Sequence, residues 1–190
     1  MNYLPISGLP LVEEDEATAE VAQIYAEIKR DMQFPFVPNY FKALAVSPAA
    51  LTINWDGFRS MIQNATLPHS LIAMIHYTIA KSRQCEYCSA TNELTCRTLG
   101  IDEETLTALV EDLGNVSPKR IQAIIEFALK AAHHPQSLVA EDYDRLREQG
   151  LTDEELAEII VIVGFGNLAD TLADILKIKV DAPVVEALGR

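Results

Sequence analysis

The chain is short of several features that would place it in a familiar class. It holds three cysteines in 190 residues, too few for a framework of disulfides. No uninterrupted apolar run approaches the roughly 18–20 residues that cross a bilayer. The longest, Ile159–Phe165, is far shorter. The opening MNYLPISGLPLVEEDE has no basic region followed by an apolar one, so no secretory signal is expected. A reducing cytoplasm is the expected location. Basic residues are also scarce, 15 against 28 acidic, for a net charge of -13 and a pI near 4.6. Such a surface repels phosphate backbones and anionic lipids, so neither nucleic acid nor membrane is an expected partner. Aromatics make up only 7%. No segment alternates polar and apolar residues as a half-buried strand does.

What is present favours helix. Hydrophobic residues are 49% of the chain, rich in Ala, Leu and Ile. The expectation is an all-α chain of roughly eight helices forming a single domain, 1–190. Residues 1–13, with Pro5 and Pro10, read as an extended arm. Val21, Ile24, Tyr25, Ile28 and Met32 recur at helical spacing and predict an amphipathic helix over about 15–32. Ser47-Pro48 is a start signal, a capping serine before proline at the first helical position. Ser117-Pro118 repeats it. Residues 69–83 are apolar around most of the circumference and predict a buried central helix. Helices are also expected over 86–98, 103–113 and 139–149. Thr152 and Glu155 form a capping box opening a last long helix to about Ile178, with a bend expected at Gly164 or Gly166. The tail 179–190 gives no clear signal. The segments 38–113 and 117–178 each pair a capped helix with a longer apolar one, which suggests two degenerate halves.

The chemically loaded feature is Cys85-Glu86-Tyr87-Cys88. Two thiols three residues apart at a helix start can face the same way. Free N–H groups and the helix dipole favour a thiolate there, which predicts a lowered thiol pKa. A thiolate attacks peroxides and disulfides, and a second thiol can then close a disulfide. The plainer alternative is two buried cysteines acting as small hydrophobes. Metal binding is not expected, because a closed zinc site takes four ligands and no second Cys-x-x-Cys or His-x-x-x-His pair follows. No cofactor is expected either. The adjacent His133 and His134 read as a solvated helix end. Cys96 continues a stripe with Cys85, Cys88 and Asn92, and reads best as a core position. His76 lies nine residues before Cys85 on the preceding helix. It is a candidate acid/base partner, with a hydrogen-bonded core histidine as the alternative. Tyr77 and Tyr87 are weaker candidates.

The segments FVPNYFKALAVSP and LPHSLIAMIHYTIAKSRQCEYCSATNE resemble the AhpD-like branch of the carboxymuconolactone decarboxylase superfamily, and within it the peroxidase-related proteins. LPLVEEDEATAEVAQIYAEIKR and GLTDEELAEIIVIVGFGNLADTLADIL fit the same pattern. The resemblance implies an AhpD-like helical bundle assembled as a homo-oligomer, whether dimer, trimer or hexamer. It implies a hydroperoxide or disulfide substrate and a thiol reductant of unknown identity. It makes Cys88 the attacking thiol and Cys85 the resolving one. The family's relay positions, a glutamate and a histidine, are here Ala73 and Asn92, neither of which can titrate. Losing general acid/base help costs about 10²–10⁴-fold. The expected function is therefore a weak alkylhydroperoxidase-like peroxidase or disulfide reductase. A non-catalytic oligomeric redox sensor or ligand-binding protein is the alternative.

Overall fold

The computed structural model describes residues 8–190. Most of the arm expected over 1–13 lies outside the described residues. Its described part, 8–13, is non-helical. Val12 anchors it, donating its N–H to the Lys42 carbonyl (3.1 Å) and accepting from the Tyr25 hydroxyl (2.8 Å).

Ten α-helices follow, with no strand among the described residues. They are α1 Ala19–Met32, α2 Asn39–Leu44, α3 Pro48–Asn64, α4 His69–Ser82, α5 Glu86–Thr98, α6 Glu103–Glu111, α7 Lys119–His133, α8 Ala140–Glu148, α9 Asp153–Leu176 and α10 Ala182–Ala187. The cap signals explain most boundaries. Thr18 accepts from the Val21 N–H, so α1 starts at residue 19 and not 15. Ser47 accepts from the Ala50 N–H with Pro48 at the helix start, and Asp102 accepts from the Thr105 N–H at 2.7 Å. Thr152 and Glu155 bond each other's backbone N–H, at 3.1 and 2.8 Å. The second Ser-Pro signal behaves differently: α7 begins at Lys119 behind Pro118, with no side-chain cap. The tail forms the short α10, held through Asp181. That carboxylate accepts from the Asn39 N–H and from the Tyr87 hydroxyl, both at 2.9 Å.

Helix α4 is the centre. Every residue from Leu71 to Ala80 is buried, and α4 packs against α5, α9 and α7. Helix α9 lies along it. By length and composition alone α9 could cross a membrane. Here it is a core helix, burying Leu156, Ile159, Ile162, Val163 and Gly166 along one side while Val161 and Ile175 stay exposed. It runs unbroken through both glycines. Gly166 makes room for α4: a Cβ there would sit 3.1 Å from the His76 ring.

Two hydrophobic clusters result. The first is largely aliphatic, with Tyr77 and Phe127 among its members, and is formed mainly by α4, α6, α7 and the N-terminal half of α9. The second gathers Tyr25, Tyr40, Phe41, Trp55 and Tyr87 with Ala173 and Leu176 from the C-terminal half of α9. Cys85 and Cys88 belong to the second cluster.

Candidate active site

The dithiol is set by the way α4 ends. Gln84 adopts a left-handed conformation (φ 60°). The Cys85 N–H then returns to the Ala80 carbonyl (3.0 Å) and the Gln84 N–H to the Lys81 carbonyl (3.1 Å). This is the paired 6→1 and 5→2 closure that commonly finishes a helix. It reverses the chain within three residues and leaves Cys85 as the cap of α5, with Cys88 one turn in. The Cys85 carbonyl accepts from the Ser89 N–H at 2.9 Å. Both thiols are free.

The thiols face Asp170 from α9. A carboxylate oxygen of Asp170 and the two Sγ atoms all lie within 4.8 Å of one another, and all three residues are buried. The Cys85 thiol also points at the Asp170 backbone carbonyl, 3.9 Å away. Cys85 is 0% exposed and Cys88 5%, so Cys88 is the less completely enclosed of the two residues. Arg83 places its Nε 3.5 Å from Asp170 Oδ2, an ion pair without a hydrogen bond. Neither atom has a hydrogen-bond partner among the described residues. Tyr40 completes the surroundings. Its hydroxyl accepts from Asn54 Nδ2 (3.0 Å), and its own ionisation is opposed by burial and by the charges of Cys88, Asp170 and Cys85.

The electrostatics reverse one sequence expectation. A thiol in the first turn of a helix should be acidified by the dipole. The Cys88 thiol is instead pushed up, first by the neighbouring Cys85 thiol, then by burial, then by Asp170. Close thiols, low dielectric and a facing carboxylate outweigh the partial charge of a helix end. Burial also raises Asp170, to about 6, against the opposing pull of Cys88 and Arg83.

The other candidates fall elsewhere. His76 is wholly buried, its Nε2 3.0 Å from the Ile162 carbonyl, and burial lowers its pKa. It meets α9 about two turns before Asp170. Tyr87 is committed to Asp181 as donor and to the Tyr40 N–H as acceptor (3.3 Å). Tyr77 lies under the Lys81 ammonium, 5.7 Å from its ring centroid. Ala73 is in the aliphatic cluster. Asn92 turns back on its own helix, donating to the Cys88 carbonyl at 2.9 Å. Cys96 sits in the aliphatic cluster and is pushed up to about 12 by burial. His133 and His134 are exposed, and His133 Nε2 lies 2.8 Å from the Ser82 hydroxyl. For a metal, the two thiols and Asp170 supply three donors, one short of a closed tetrahedral shell.

Sequence reasoning missed Asp170 and Tyr40. A signal for Asp170 was available: it is the first charged residue after Glu158 along α9, ending eleven uncharged positions. A charge that interrupts an apolar helix either faces water or needs a reason to be inside.

Comparison with solved structures decides the architecture. The AhpD core protein from Ralstonia eutropha, a peroxidase-related protein, matches with a TM-score of 0.86 and 24% identity, covering 96% of each chain. The fold is AhpD-like. A peroxidase-related protein from Silicibacter sp. matches this AhpD-like chain at 0.85 and 20%, covering 97% of it and 96% of that protein. A variant of the debrominase Bmp8 in complex with 2,3,4-tribromopyrrole matches at 0.80 and 17%, covering 100% of this chain and 97% of the other. No family model matches the sequence. Among curated proteins, (R)-2-haloacid dehalogenase of Pseudomonas putida is 36% identical over 52 residues. That match spans 27% of this chain and 17% of the dehalogenase.

Proposed function

We propose that the AhpD-like chain is a thiol-dependent oxidoreductase that reduces hydroperoxides or disulfides in antioxidant defence. The supporting observation is the buried cluster of Cys85, Cys88 and Asp170, with Cys88 the less completely enclosed of the two cysteines. Cys88 sulfur attacks the peroxide. An S–O bond forms, the O–O bond breaks, and the alcohol leaves with a proton. Cys85 then attacks the Cys88 sulfenic acid, forming the S–S bond and releasing water. An external dithiol returns the pair to its reduced form. His76 contributes through position, packing α4 onto α9 above the site. A raised thiol and non-titrating residues at 73 and 92 make the chemistry slow.

The matches to a debrominase and a haloacid dehalogenase favour a second reading, an organohalide substrate. Cys88 sulfur would attack the halogen, the carbon would take up a proton, and Cys85 would expel halide as the disulfide forms. The homo-oligomer implied by the resemblance would use the exposed face of α9. A single monomeric species in light scattering would remove it.

One experiment tests both readings. Thiol loss is followed with cumene hydroperoxide and with a bromopyrrole, while bromide release is measured by ion chromatography. Cys88→Ser should abolish turnover of whichever substrate is used. Cys85→Ser should stop at a sulfenic acid that dimedone traps. Equal rates in wild type and Cys88→Ser would overturn the assignment. Bromide release that tracks disulfide formation would favour the organohalide.

A further inference from the structure

We propose that Asp170 is the proton-carrying catalytic residue of the dithiol, a general base for each attacking thiol and the acid for each leaving group. This rests on the reading of Cys88 and Cys85 as the reacting pair, and it names the group that replaces a relay the sequence lacks.

Geometry is the first argument. Asp170 reaches both Sγ atoms from a third element, α9, with its carboxylate within 4.8 Å of each. Its Oδ2 has no hydrogen-bond partner among the described residues. The groups facing it are few. They are Cys85 and Cys88 from the start of α5, Arg83 from the end of α4, Tyr40 from α2, and Asp174 one turn along α9. Asp181, the acid that Tyr87 of the same helix start engages, is occupied by that hydroxyl and the Asn39 N–H. Among these groups Asp170 alone has a titratable oxygen without a hydrogen bond and a carboxylate within 4.8 Å of both thiols.

The second argument is the sign of the charge. A carboxylate beside a thiol disfavours the thiolate, and Asp170 does raise Cys88. A site relying on a free thiolate gains nothing from an acidic neighbour and would be better served by asparagine or an apolar residue. The carboxylate helps only if it accepts the proton as the sulfur attacks. A base serves best with a pKa near working pH, and burial has brought Asp170 to about 6.

Protons balance through both steps. As Cys88 sulfur bonds the distal peroxide oxygen, its proton passes to Asp170 and on to the departing alkoxide, giving the alcohol. As Cys85 sulfur displaces hydroxide from the sulfenic acid, its proton takes the same route, giving water. Asp170 ends each step ionised. An external dithiol then reopens the disulfide.

Asp170→Asn separates the two roles because they predict opposite signs. A proton carrier predicts that peroxide-driven oxidation of Cys88 slows by about 10²-fold or more. It also predicts that the wild-type rate rises through about pH 6 and that this rise disappears in the variant. A carboxylate acting only as a charge predicts the reverse: its removal lowers the Cys88 pKa and oxidation speeds up. An unchanged or faster rate in Asp170→Asn overturns the proposal, while loss of reactivity in Cys88→Ser keeps the dithiol assignment intact. If Cys88→Ser reacts like wild type, the dithiol reading itself has failed. Circular dichroism checks that the variant folds. Should it not fold, the wild-type pH–rate profile decides: no rise through about pH 6 overturns the proposal. His76→Gln controls for the neighbouring imidazole and should keep that rise.

Discussion

The two halves of α9 do different work in the same helix. The N-terminal half sends Leu156, Ile159, Ile162 and Val163 into an aliphatic cluster. His76, a buried ionisable neighbour, is matched to the Ile162 carbonyl. The C-terminal half sends Ala173 and Leu176 into the aromatic cluster that holds the thiols, and places Asp170 inside with an oxygen left over. Asn54 Oδ1 and Arg83 Nε are likewise buried without a hydrogen bond on that side, Arg83 facing Asp170 Oδ2 across a 3.5 Å ion pair. Buried polar groups without partners lower stability. One half of the helix is built to hold the fold, and the other keeps incompletely hydrogen-bonded polar groups where chemistry would need them.

The largest way to test this contrast is to damage the holding half. Ile159 is fully buried in the aliphatic cluster. Ile159→Ala should cost about 2–5 kcal/mol, as large core truncations do. The reading is a lower denaturation midpoint with unchanged thiol oxidation per folded molecule. A large change in thiol rate without loss of stability would show that the halves are not separable.

A smaller effect comes from pH, where the halves have opposite signs. Asp170 is raised from 3.8 to about 6 on folding. The folded state prefers it neutral, so its contribution is full below pH 3.8 and is lost as pH rises through about 6. His76 is lowered from 6.5 by burial. Its contribution is full above pH 6.5 and is lost as pH falls below it. Asp170→Asn should therefore stabilise the protein by about 1–3 kcal/mol at pH 7 and by little near pH 4. Urea denaturation at the two pH values measures it. Destabilisation at pH 7 would mean that the contact with Arg83 outweighs the cost of burying the charge.

The holding half was legible in the sequence and the chemical half only partly so. Apolar periodicity over 69–83 and the Thr152–Glu155 box gave α4 and α9, because helix signals are local in the chain. The two prolines of FPFVPN likewise announce a short helix from about Pro38, which is α2, whereas α10 escapes such reading; it is tied by Asp181 to Asn39 and Tyr87, partners 142 and 94 positions away. Cys85 and Cys88 announced themselves by spacing. Whether their surroundings lower or raise the thiol depends on burial and on Asp170, which lies more than 80 residues on. The dipole of α5 was the only influence the local sequence could supply, and it pointed the wrong way for Cys88. The Ser117-Pro118 signal shows the same limit from the other side: the residues were right, yet α7 starts at Lys119.

The smallest effect concerns the turn that joins the two functions. Gln84 is an exposed, non-glycine residue in the left-handed region. Its Cβ is disfavoured there by about 1 kcal/mol, and glycine would remove that cost. Glycine also has more freedom to lose on folding, which offsets part of the gain. Gln84→Gly should therefore stabilise the protein by about 0.5 kcal/mol, within a range from zero to 1. The backbone bonds from Cys85 to Ala80 and from Gln84 to Lys81 survive the change, so the thiols should keep their places and their rate of oxidation. A thermal melt reads the first effect and peroxide-driven thiol loss the second. Slower oxidation with raised stability would show that the stiffness of residue 84 itself holds Cys85 against Cys88. The boundary between structure and chemistry would then lie one residue earlier than α9 alone suggests.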